Sequence, residues 1–423
     1  MNHQSMNHPK MKYTYVGIDS HKDTHTAVFL DCFFEKLGQI VFENLPSKFP
    51  KFLSDAEFLK LDGTELFFGL EDVSDYGRNL TAFLGNNGQP VKHVNALFVA
   101  RERKNQSVTQ KTDSLDAECA ARVLLNKFNE LPDVKLNDKY WVLRSLVVRR
   151  NYILENNMAL KNQLHSLLSQ HYPNYRNFFP NIEIKSSLAF FARYPSPRLL
   201  SGVTVEELTE FFSQTAKGRV GAGKSGKVRA EQILENVENT AVEFQEIRDM
   251  TVQSTIRQIQ FNLDEIEKLN KLTEELLEKF NCTLLSMIGI ETATAAKLLS
   301  CIGDIRRFSS PAKLAKYAGI APVTYASGKK EGKYANQRGN RELNAIFFDI
   351  AVKVSMYVGI NHKVLNPYFY EYYKRKQSEG KTKRQAMKCV QRRLVNIIWG
   401  MLTYGRDYDN PEMYWLPKEE KRG

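Results

Sequence analysis

Hydrophobic and polar residues alternate in short runs over the first hundred positions of the chain. These runs are rich in β-branched and aromatic residues and are separated by polar turns, which is typical of strands. The strands predicted in this way cover residues 13–19, 25–32, 39–44, 65–71 and 90–96. Two further segments, 75–88 and 112–128, predict helices. Strands in hairpin order followed by strand–helix alternation indicate an α/β domain with a mixed sheet.

Leucine and isoleucine recur at helical spacing through the middle of the chain. Leu146, Ile153, Leu160 and Leu167 lie seven residues apart, and a second run over 252–276 has spacings of four and three. This pattern predicts a coiled-coil seam on two long helices. The helices would form either an intramolecular hairpin or an oligomerisation arm. Between them, a Gly/Lys-rich segment is expected to be a mobile loop.

The composition changes near residue 283. A glycine turn precedes a helix of small residues, which resembles half of a helix-hairpin-helix, and a Gly/Lys/Ser-rich loop is expected at 324–340. A helix follows at 341–358, and the remaining stretch is strongly basic and aromatic. We therefore predict a disordered leader, an α/β domain, a helical coiled-coil region and a mostly α-helical domain. Their bounds are 1–11, 12–135, 136–282 and 283–423.

The net charge and the cysteine pattern limit the classes of protein to which the chain can belong. Lys and Arg number 60 and Asp and Glu 48, and this net charge of +12 favours polyanionic partners such as phosphate backbones. The five cysteines are scattered without a CxxC pair, which argues against a disulfide framework or a zinc knuckle and fits a reducing compartment. No run approaches the ~20 apolar residues of a membrane helix, and the N-terminus lacks an apolar signal core. We therefore expect a cytoplasmic protein without a membrane partner.

Four acidic residues stand where the predicted elements would bring them together. Asp19 and Glu71 each close a strand, and Asp113 and Asp116 open a helix with a spacing that places both on one face. Taken one at a time, each acid can be explained as a helix cap or a solvated turn residue. If the two strands and the helix belong to one sheet domain, however, the four acids would converge at one edge of the sheet. Crowded carboxylates repel each other, and a divalent cation relieves that repulsion. Mg²⁺ suits such ligands, and two ions would suit phosphodiester chemistry.

Two other motifs match the sequence patterns of a nucleotide site and a transition-metal site, but not the structural context that those sites need. Residues 218–225, GRVGAGKS, fit the phosphate-loop pattern, but a polar, helix-like segment precedes them where a buried strand is needed. We expect a flexible basic loop there. His21 and His25 lie four residues apart in a predicted turn and strand, and are expected to be surface histidines rather than a transition-metal site. The nearby acids expected to take no part are Asp23, Asp72 and Asp75.

The segments that carry the four acids resemble a known family of recombinases. The family is that of the DEDD transposases of IS110-type insertion sequences, and its three acidic motifs resemble, in order, GIDSHKDTHTAVFL, GLED and KTDSLDAECAARVL. The second domain of the same family resembles residues 286–344, which run from SMIGIETATAAKLL to QRGNRELN. The resemblance covers nearly the whole chain. It implies a RuvC-like domain of RNase H fold and a reaction that cuts and rejoins DNA strands for insertion-sequence mobility.

The resemblance also implies which residues and partners take part. Asp19, Glu71, Asp113 and Asp116 would hold Mg²⁺, and a serine of the second domain would form a covalent phosphoserine link to DNA. The matching serine is Ser327 in YASGKKEGK. From the residues alone Ser327 is an ordinary loop serine, because no histidine lies nearby in sequence to activate its hydroxyl. The implied partners are donor and target DNA, a structured guide RNA encoded by the element, and further copies of the chain in a dimer or tetramer.

Basic residues around Ser327 and in the C-terminal stretch are candidates for contact with nucleic acid. Those near the serine suit phosphates, and those in the C-terminal stretch are interleaved with tyrosines that suit stacking on bases. A solvated basic face with core aromatics is the alternative. The candidates are Lys329, Lys330, Lys333, Arg338, Arg341, Lys374, Arg375, Arg384, Arg392 and Arg393.

Three other functions compete with a transposase. A hydrolytic RuvC-like junction nuclease would use the four acids without a covalent step. A non-catalytic nucleic-acid-binding protein would need none of the acids for its activity. An NTPase motor would depend on Lys224 in the phosphate-loop pattern.

Overall fold

The chain divides into two compact units, Met1–Asp138 and Lys139–Gly423. The computed structural model describes residues 8–71, 76–106, 110–134, 138–216, 222–238, 243–327, 330–334, 336, 339–358 and 363–409. Residues 1–7 of the predicted leader therefore lie outside the described residues, and Pro9–Lys12 forms a short 3₁₀ helix. Among the described helices, none is both long enough and apolar enough to cross a membrane.

The first unit contains a five-stranded mixed sheet with helices on both faces. Its strands are β1 (Tyr13–Ser20), β2 (Thr24–Leu30), β3 (Lys36–Glu43), β4 (Glu65–Glu71) and β5 (Val91–Val94). Its helices are α1 (Phe49–Leu59), α2 (Arg78–Asn86), α3 (Ala96–Asn105) and α4 (Asp113–Asn126). The order across the sheet is β3-β2-β1-β4-β5, with antiparallel pairs from β3 to β1 and parallel pairs from β1 to β5. The predicted α/β class is confirmed.

Side chains of β1 alternate between two buried faces of the sheet. Val16 belongs to a core with Phe52 of α1 and Leu80 of α2. Tyr15, on the opposite face, belongs to a core with Leu124 of α4. A strand covered on both faces needs apolar residues at nearly every position rather than at alternate ones. This requirement explains the nearly continuous apolar run of β1 that the sequence shows.

Two helices of the first unit, α1 and α3, are absent from the sequence prediction. α1 buries Phe49, Phe52 and Ala56, which have the helical spacing of three and four that would have revealed it. α3 lies where the sequence indicates only an irregular basic stretch. It buries Val99 and is capped by Asn95, so its apolar face is too narrow to produce a clear amphipathic pattern.

The second unit is mostly helical, as predicted. Its helices are α5 (Asp138–His171), α6 (Lys185–Arg193), α7 (Val205–Thr215), α8 (Ala222–Asn236), α9 (Gln245–Glu278), α10 (Thr292–Ile302), α11 (Pro311–Tyr317), α12 (Arg341–Ser355), α13 (Pro367–Ser378) and α14 (Lys383–Tyr404). Its described hairpins are β6 (Val323–Ser327) with β7 (Lys330–Tyr334), and β8 (Tyr357–Val358) with β9 (Lys363–Val364).

The long helices α5 and α9 run antiparallel beside each other. Arg150 Nε donates a hydrogen bond of 2.6 Å to Asn270 Oδ1, and Gln245 Nε2 lies 3.2 Å from His171 Nδ1. Residue numbers therefore rise along one helix as they fall along the other. The intramolecular hairpin, one of the two arrangements that the heptad pattern allows, is thus present, and a coiled-coil seam stays a prediction.

The buried stripe of α5 agrees only in part with the predicted heptad positions. Ile153 is buried, as are Leu143, Leu164 and Leu168, whereas Leu146, Leu160 and Leu167 are only half-buried. The reason is that α5 serves two cores. Its first half packs with the core of α10 to α14, and its second half packs with the core of α6 to α9.

Two segments that the sequence predicts as loops contain regular structure. Helix α8 begins at Ala222, so the second half of the Gly/Lys-rich segment is helical, because the good helix formers that follow outweigh its glycines. Residues 217–221 lie outside the described residues. Part of 324–340 is the β6–β7 hairpin, in which Ser327 pairs with Lys330. The two residues between these strands include a glycine, which is a hairpin signal in the sequence.

Candidate active site at the carboxyl ends of β1 and β4

The parallel pairing of β1 and β4 brings two of the predicted acids side by side. Asp19 is the register partner of Glu71 at the carboxyl ends of the two strands. Because side chains two residues apart point to the same face of a strand, Asp19 shares its face with Tyr15 and Gly17. That face is covered by α4.

Two glycines let α4 approach this face closely. Gly17 of β1 is the register partner of Gly69 of β4. A Cβ atom on Gly17 would lie 2.1 Å from the Ala117 carbonyl oxygen, and one on Gly69 would lie 3.2 Å from Leu124 Cβ. Two residues before Asp19 the backbone of α4 therefore rests on β1, and two residues before Glu71 the Leu124 side chain of α4 rests on β4. A residue larger than glycine does not fit at position 17 unless α4 moves.

Helix α4 begins with the other two acids. Thr112 is the N-cap, since its hydroxyl accepts a 3.2 Å hydrogen bond from the Leu115 backbone N–H. Asp113 is therefore the first helical residue and not the cap. The Asp113 side chain is 60% exposed and that of Asp116 only 7%. Both carboxylates are stabilised by the partial positive charge at the N-terminus of the helix.

A histidine after β1 links two of the acids. His21 Nε2 lies 3.1 Å from Asp19 Oδ2 and 3.3 Å from Asp113 Oδ1. The His21 side chain is about half exposed, so it is at the surface, but it contacts the acids directly. His21 is therefore a surface histidine, as predicted, and it also contacts two of the acids.

His25 differs from its prediction in another way. It is fully buried on the face opposite to Asp19, where its ring packs against Phe42 and Phe49, and burial lowers its pKa. The prediction of a surface position fails because β3 and α1 cover this face of β2. Of the acids expected to take no part, Asp23 is exposed. Asp72 and Asp75 lie outside the described residues.

Asp116 and Glu71 differ in their partners. Arg103 of α3 forms an ion pair with Asp116, and Lys111 Nζ lies 3.9 Å from Asp116 Oδ2. Glu71, in contrast, has a buried Oε2 atom that finds no hydrogen-bond partner among the described residues. A buried polar atom without a partner costs about 1–3 kcal/mol. Each such atom calls for an explanation, and a bound ion is one.

Burial and mutual repulsion oppose the ionisation of these acids. The pKa of Glu71 is raised to about 7 by burial and then by the charges of Asp19 and Asp116, while Lys111 and Arg103 lower it. Burial is also the main reason that the pKa of Asp19 lies above its usual value. A bound cation would remove this disadvantage, because it favours the charged form of every acid around it.

The donors fit a divalent cation. Asp19, His21 and Asp113 each offer one ligand atom, and these atoms lie within 4.8 Å of one another. Glu71 adds a buried oxygen that has no hydrogen-bond partner within the described part of the chain. Carboxylate oxygens are the ligands that Mg²⁺ prefers. The arrangement is therefore suited to metal-dependent chemistry on a phosphate.

The serine implied by the resemblance lies in the second unit. Ser327 is the last residue of β6, and Lys330 and Lys333 lie on the adjacent strand β7. Arg341 is the exposed first residue of α12. The candidates that lie outside the described residues are Lys329 and Arg338.

The basic residues of the last two helices divide into exposed and half-buried groups. Lys374 and Arg375 of α13 and Arg384 of α14 are exposed. Arg392 and Arg393 are half-buried, and Arg392 donates a 3.1 Å hydrogen bond to a backbone carbonyl of α11. The first group suits contact with a nucleic acid, whereas Arg392 also holds two helices together.

The phosphate-loop pattern does not follow a strand in the described part of the chain. Helix α7 precedes residues 218–225, and helix α8 begins within them. The mechanism of that motif needs a strand before the loop. The structure therefore gives no support to an NTPase motor that depends on Lys224.

The sequence patterns do not predict that His21 and Arg103 contact the acids of the site. His21 could have been found, because it lies two residues after an acid at the end of a strand. Arg103 depends on helix α3, whose weak apolar pattern hides it. No sequence spacing shows that a cation from α3 reaches Asp116.

Comparison with known proteins identifies the family. Residues 16–173 match the family model of the DEDD transposases of IS110, described as "Transposase". Residues 282–374 match a second model, "Transposase IS116/IS110/IS902 family". Together the two matches cover more than half of the chain, in the predicted order. The chain belongs to the IS110 family of transposases.

Relatives of this IS110-family chain agree with that assignment. It is 26% identical over 396 residues to the insertion element IS116 44.8 kDa protein of Streptomyces clavuligerus, covering 92% of this chain and 94% of the relative. It is 27% identical over 307 residues to the insertion element IS110 43.6 kDa protein of Streptomyces coelicolor, covering 71% and 72%. It is 30% identical over 154 residues to the pilin gene-inverting protein of Moraxella bovis, covering 34% and 46%. The family accordingly has an enzymatic, DNA-rearranging role.

Proposed function

We propose that this transposase cuts and rejoins DNA strands at the site formed by Asp19, Glu71, Asp113 and Asp116, which hold two Mg²⁺ ions. The observation that carries the proposal is the register pairing of Asp19 with Glu71 next to the start of α4. At this point Glu71 keeps a buried oxygen without a hydrogen-bond partner among the described residues. A ligand bound by the acids would account for such an atom.

The sheet topology supports an RNase H-like fold for the first unit. Three antiparallel strands, β1 to β3, lie beside the two strands β4 and β5 that run parallel to β1. The acids stand at the ends of β1 and β4 and at the start of α4, where the resemblance to a RuvC-like domain implies them.

The side chains of the four acids are held in place to different extents, and this suggests different roles. Asp19 and Glu71 are fixed by the sheet, and Asp116 is fixed by its ion pair with Arg103. Asp113 is more exposed and can adjust to the DNA phosphate. When bound, Mg²⁺ would stabilise negative charge on the attacking and leaving oxygens of a phosphodiester.

Ser327 is the proposed nucleophile. Its Oγ would form a bond to a DNA phosphorus as one P–O bond of the backbone breaks, and the departing sugar hydroxyl would take up a proton in place of the one that serine loses. Reversal of this step on a new strand end would rejoin the DNA. Lys330 and Lys333 on the adjacent strand suit contact with the phosphate. A serine hydroxyl needs activation by a base or a metal ion before it can attack.

The proposed partners are donor and target DNA, a structured guide RNA and further copies of the chain, in the cytoplasm. The net charge of +12 and the exposed basic residues of α13 and α14 support binding of nucleic acid. Large exposed apolar side chains on α9 support contact between copies, as a dimer or tetramer. They are Ile247, Met250 and Phe261.

A covalent adduct is the direct test of the proposal. The protein would be mixed with Mg²⁺, labelled donor and target DNA and the RNA from the element's flanks, and denatured before electrophoresis. We expect a denaturant-resistant protein–DNA adduct in the wild type and none with Ser327→Ala or Asp113→Ala. Thr324→Ala removes another hydroxyl from the same strand, and Asp62→Asn removes an exposed acid from the same unit. Both control variants should retain the adduct.

The outcomes separate the competing functions. Cleaved DNA without an adduct, unaffected by Ser327→Ala, would establish a hydrolytic nuclease and exclude the covalent step. Binding without cleavage, unaffected by Asp113→Ala, would establish a non-catalytic binding protein.

A further inference from the structure

The contact of His21 with two acids stands out among the described residues. Its Nε2 atom lies 3.1 Å from Asp19 Oδ2 and 3.3 Å from Asp113 Oδ1. Within the described ranges, these three residues are the group of His, Cys, Asp or Glu side chains whose ligand atoms all lie within 4.8 Å of one another. One nitrogen therefore lies next to oxygens from two different elements.

These separations match those of neighbouring ligands on one ion. Two ligand atoms at right angles, each about 2.1 Å from an octahedral ion, are about 3.0 Å apart. The His21 nitrogen already lies near this spacing from both oxygens. A small movement of the side chains would place all three atoms around a cation.

The backbone of His21 is held in place by the turn between β1 and β2. The His21 N–H donates a 3.1 Å hydrogen bond to the Thr24 carbonyl. Asn44 Nδ2 donates to the carbonyls of His21 at 3.4 Å and Lys22 at 3.2 Å. The position of the imidazole next to the acids therefore follows from a fixed turn, even though the side chain itself is about half exposed.

We propose that His21 binds a divalent cation through Nε2, together with Asp19 and Asp113. The inference rests on the proposed metal site and adds a nitrogen ligand to its four acids. Imidazole suits first-row transition ions better than it suits Mg²⁺, whereas carboxylates suit Mg²⁺ and Mn²⁺ alike. His21 is thus a determinant of metal preference, and it raises the affinity for Mn²⁺ more than that for Mg²⁺.

The test uses the full chain loaded with Mn²⁺ alone. Electron spin-echo envelope modulation detects ¹⁴N bound to Mn²⁺, and we expect this coupling in the wild type. His21→Ala should abolish it and His21→Asp should not restore it. His93→Ala is the matched control, because it removes an exposed histidine that pairs with Leu70 and lies on the other face of the sheet from Glu71. This variant should keep the coupling.

Affinity gives a second measurement that does not depend on activity. We expect His21→Ala to weaken Mn²⁺ binding by at least about tenfold, since even outer-shell partners of metal ligands contribute about 10- to 100-fold. Mg²⁺ binding, measured by competition, should weaken less. The His21→Asp variant should bring the two affinities closer together.

The possible failures are distinguishable. Tight Mn²⁺ binding by the wild type without ¹⁴N coupling would overturn the role of His21 and leave the acid site standing. Coupling that persists in His21→Ala would also overturn it. No Mn²⁺ or Mg²⁺ binding by the wild type would overturn both this inference and the proposed metal site.

Discussion

At the residue scale, the environment of Glu71 shows most clearly that the arrangement of the acids opposes the stability of the folded protein. Its carboxyl group is enclosed, it faces the charge of Asp19, and one oxygen lacks a hydrogen-bond partner among the described residues. Burial, and then the charges of Asp19 and Asp116, raise its pKa to about 7. The sequence could place Glu71 at a strand end near the other acids, but not in register with Asp19, because the parallel pairing joins residues 52 positions apart. The acid was therefore predictable and its environment was not.

The pH dependence of metal-free stability tests this environment. Because the folded-state pKa of Glu71 is raised from 4.5 to about 7, its contribution to stability is present below pH 4.5 and is lost as the pH rises through 7. Glu71→Gln removes that loss. In EDTA, we expect the melting temperature of Glu71→Gln to exceed that of the wild type by more at pH 7.5 than at pH 5. An equal difference at both pH values would show that Glu71 titrates normally.

The ion pair of Arg103 gives a second prediction at this scale. Arg103 lowers the pKa of Glu71, so Arg103→Met should raise it further above 7. Carboxyl chemical shifts of ¹³C-labelled glutamate, followed against pH without divalent ions, would measure the change. Arg101→Met, an exposed position on the same helix, is the control and should leave the titration unchanged. If the Glu71 carboxyl group titrates in both variants as it does in the wild type, Arg103 does not influence the pKa of Glu71.

At the element scale, the position of α4 depends on two glycines. The helix lies against Gly17 and Gly69, and its first turn carries two of the acids. The strands were predictable from their β-branched runs and α4 from its apolar spacing. The close approach was not, because a glycine in a strand has several possible causes. The hairpin at Ser327 was missed for a related reason, since its polar residues resemble a loop.

Substitution of the glycines tests the packing of α4. Gly17→Ala places a Cβ against helix backbone, which cannot yield, and should destabilise the protein by about 1–3 kcal/mol or more. Gly69→Ala meets the side chains of Val94 and Leu124, which can move, and should cost less. Chemical denaturation of both variants would give the order. Equal stability of Gly17→Ala and the wild type would contradict the close approach.

At the scale of the whole molecule, the chain combines an acidic site in one unit with a serine and basic helices in the other. The division into an α/β part and a helical part was predictable from the change in periodicity. The partial exposure of the other heptad positions of α5 was not, because one helix packs into two cores whose other members are distant in sequence. Local patterns identify elements better than they identify the partners of those elements.

The salt dependence of nucleic-acid binding tests the role of the basic helices. Changing Lys374, Arg375 and Arg384 to Gln should reduce the slope of log affinity against log salt by about 0.9 for each phosphate of duplex DNA that the variant no longer neutralises. Changing Lys268 and Lys271 of α9, which form ion pairs with Glu265 and Glu267, is the control. Fluorescence anisotropy at several salt concentrations would give both slopes. An unchanged slope in the triple variant would remove α13 and α14 from the nucleic-acid interface.

The central claim is that DNA cleavage depends on the paired acids Asp19 and Glu71. The most direct measurement is the rate of DNA strand cleavage in Mg²⁺ by Glu71→Gln, compared with Asp62→Asn and with the wild type. We expect Glu71→Gln to bind DNA normally and to cleave at least about 100-fold more slowly, because loss of one electrostatic catalytic group typically costs 10²–10³ in rate. Asp62→Asn should cleave at the wild-type rate. Cleavage by Glu71→Gln at the wild-type rate would contradict the claim.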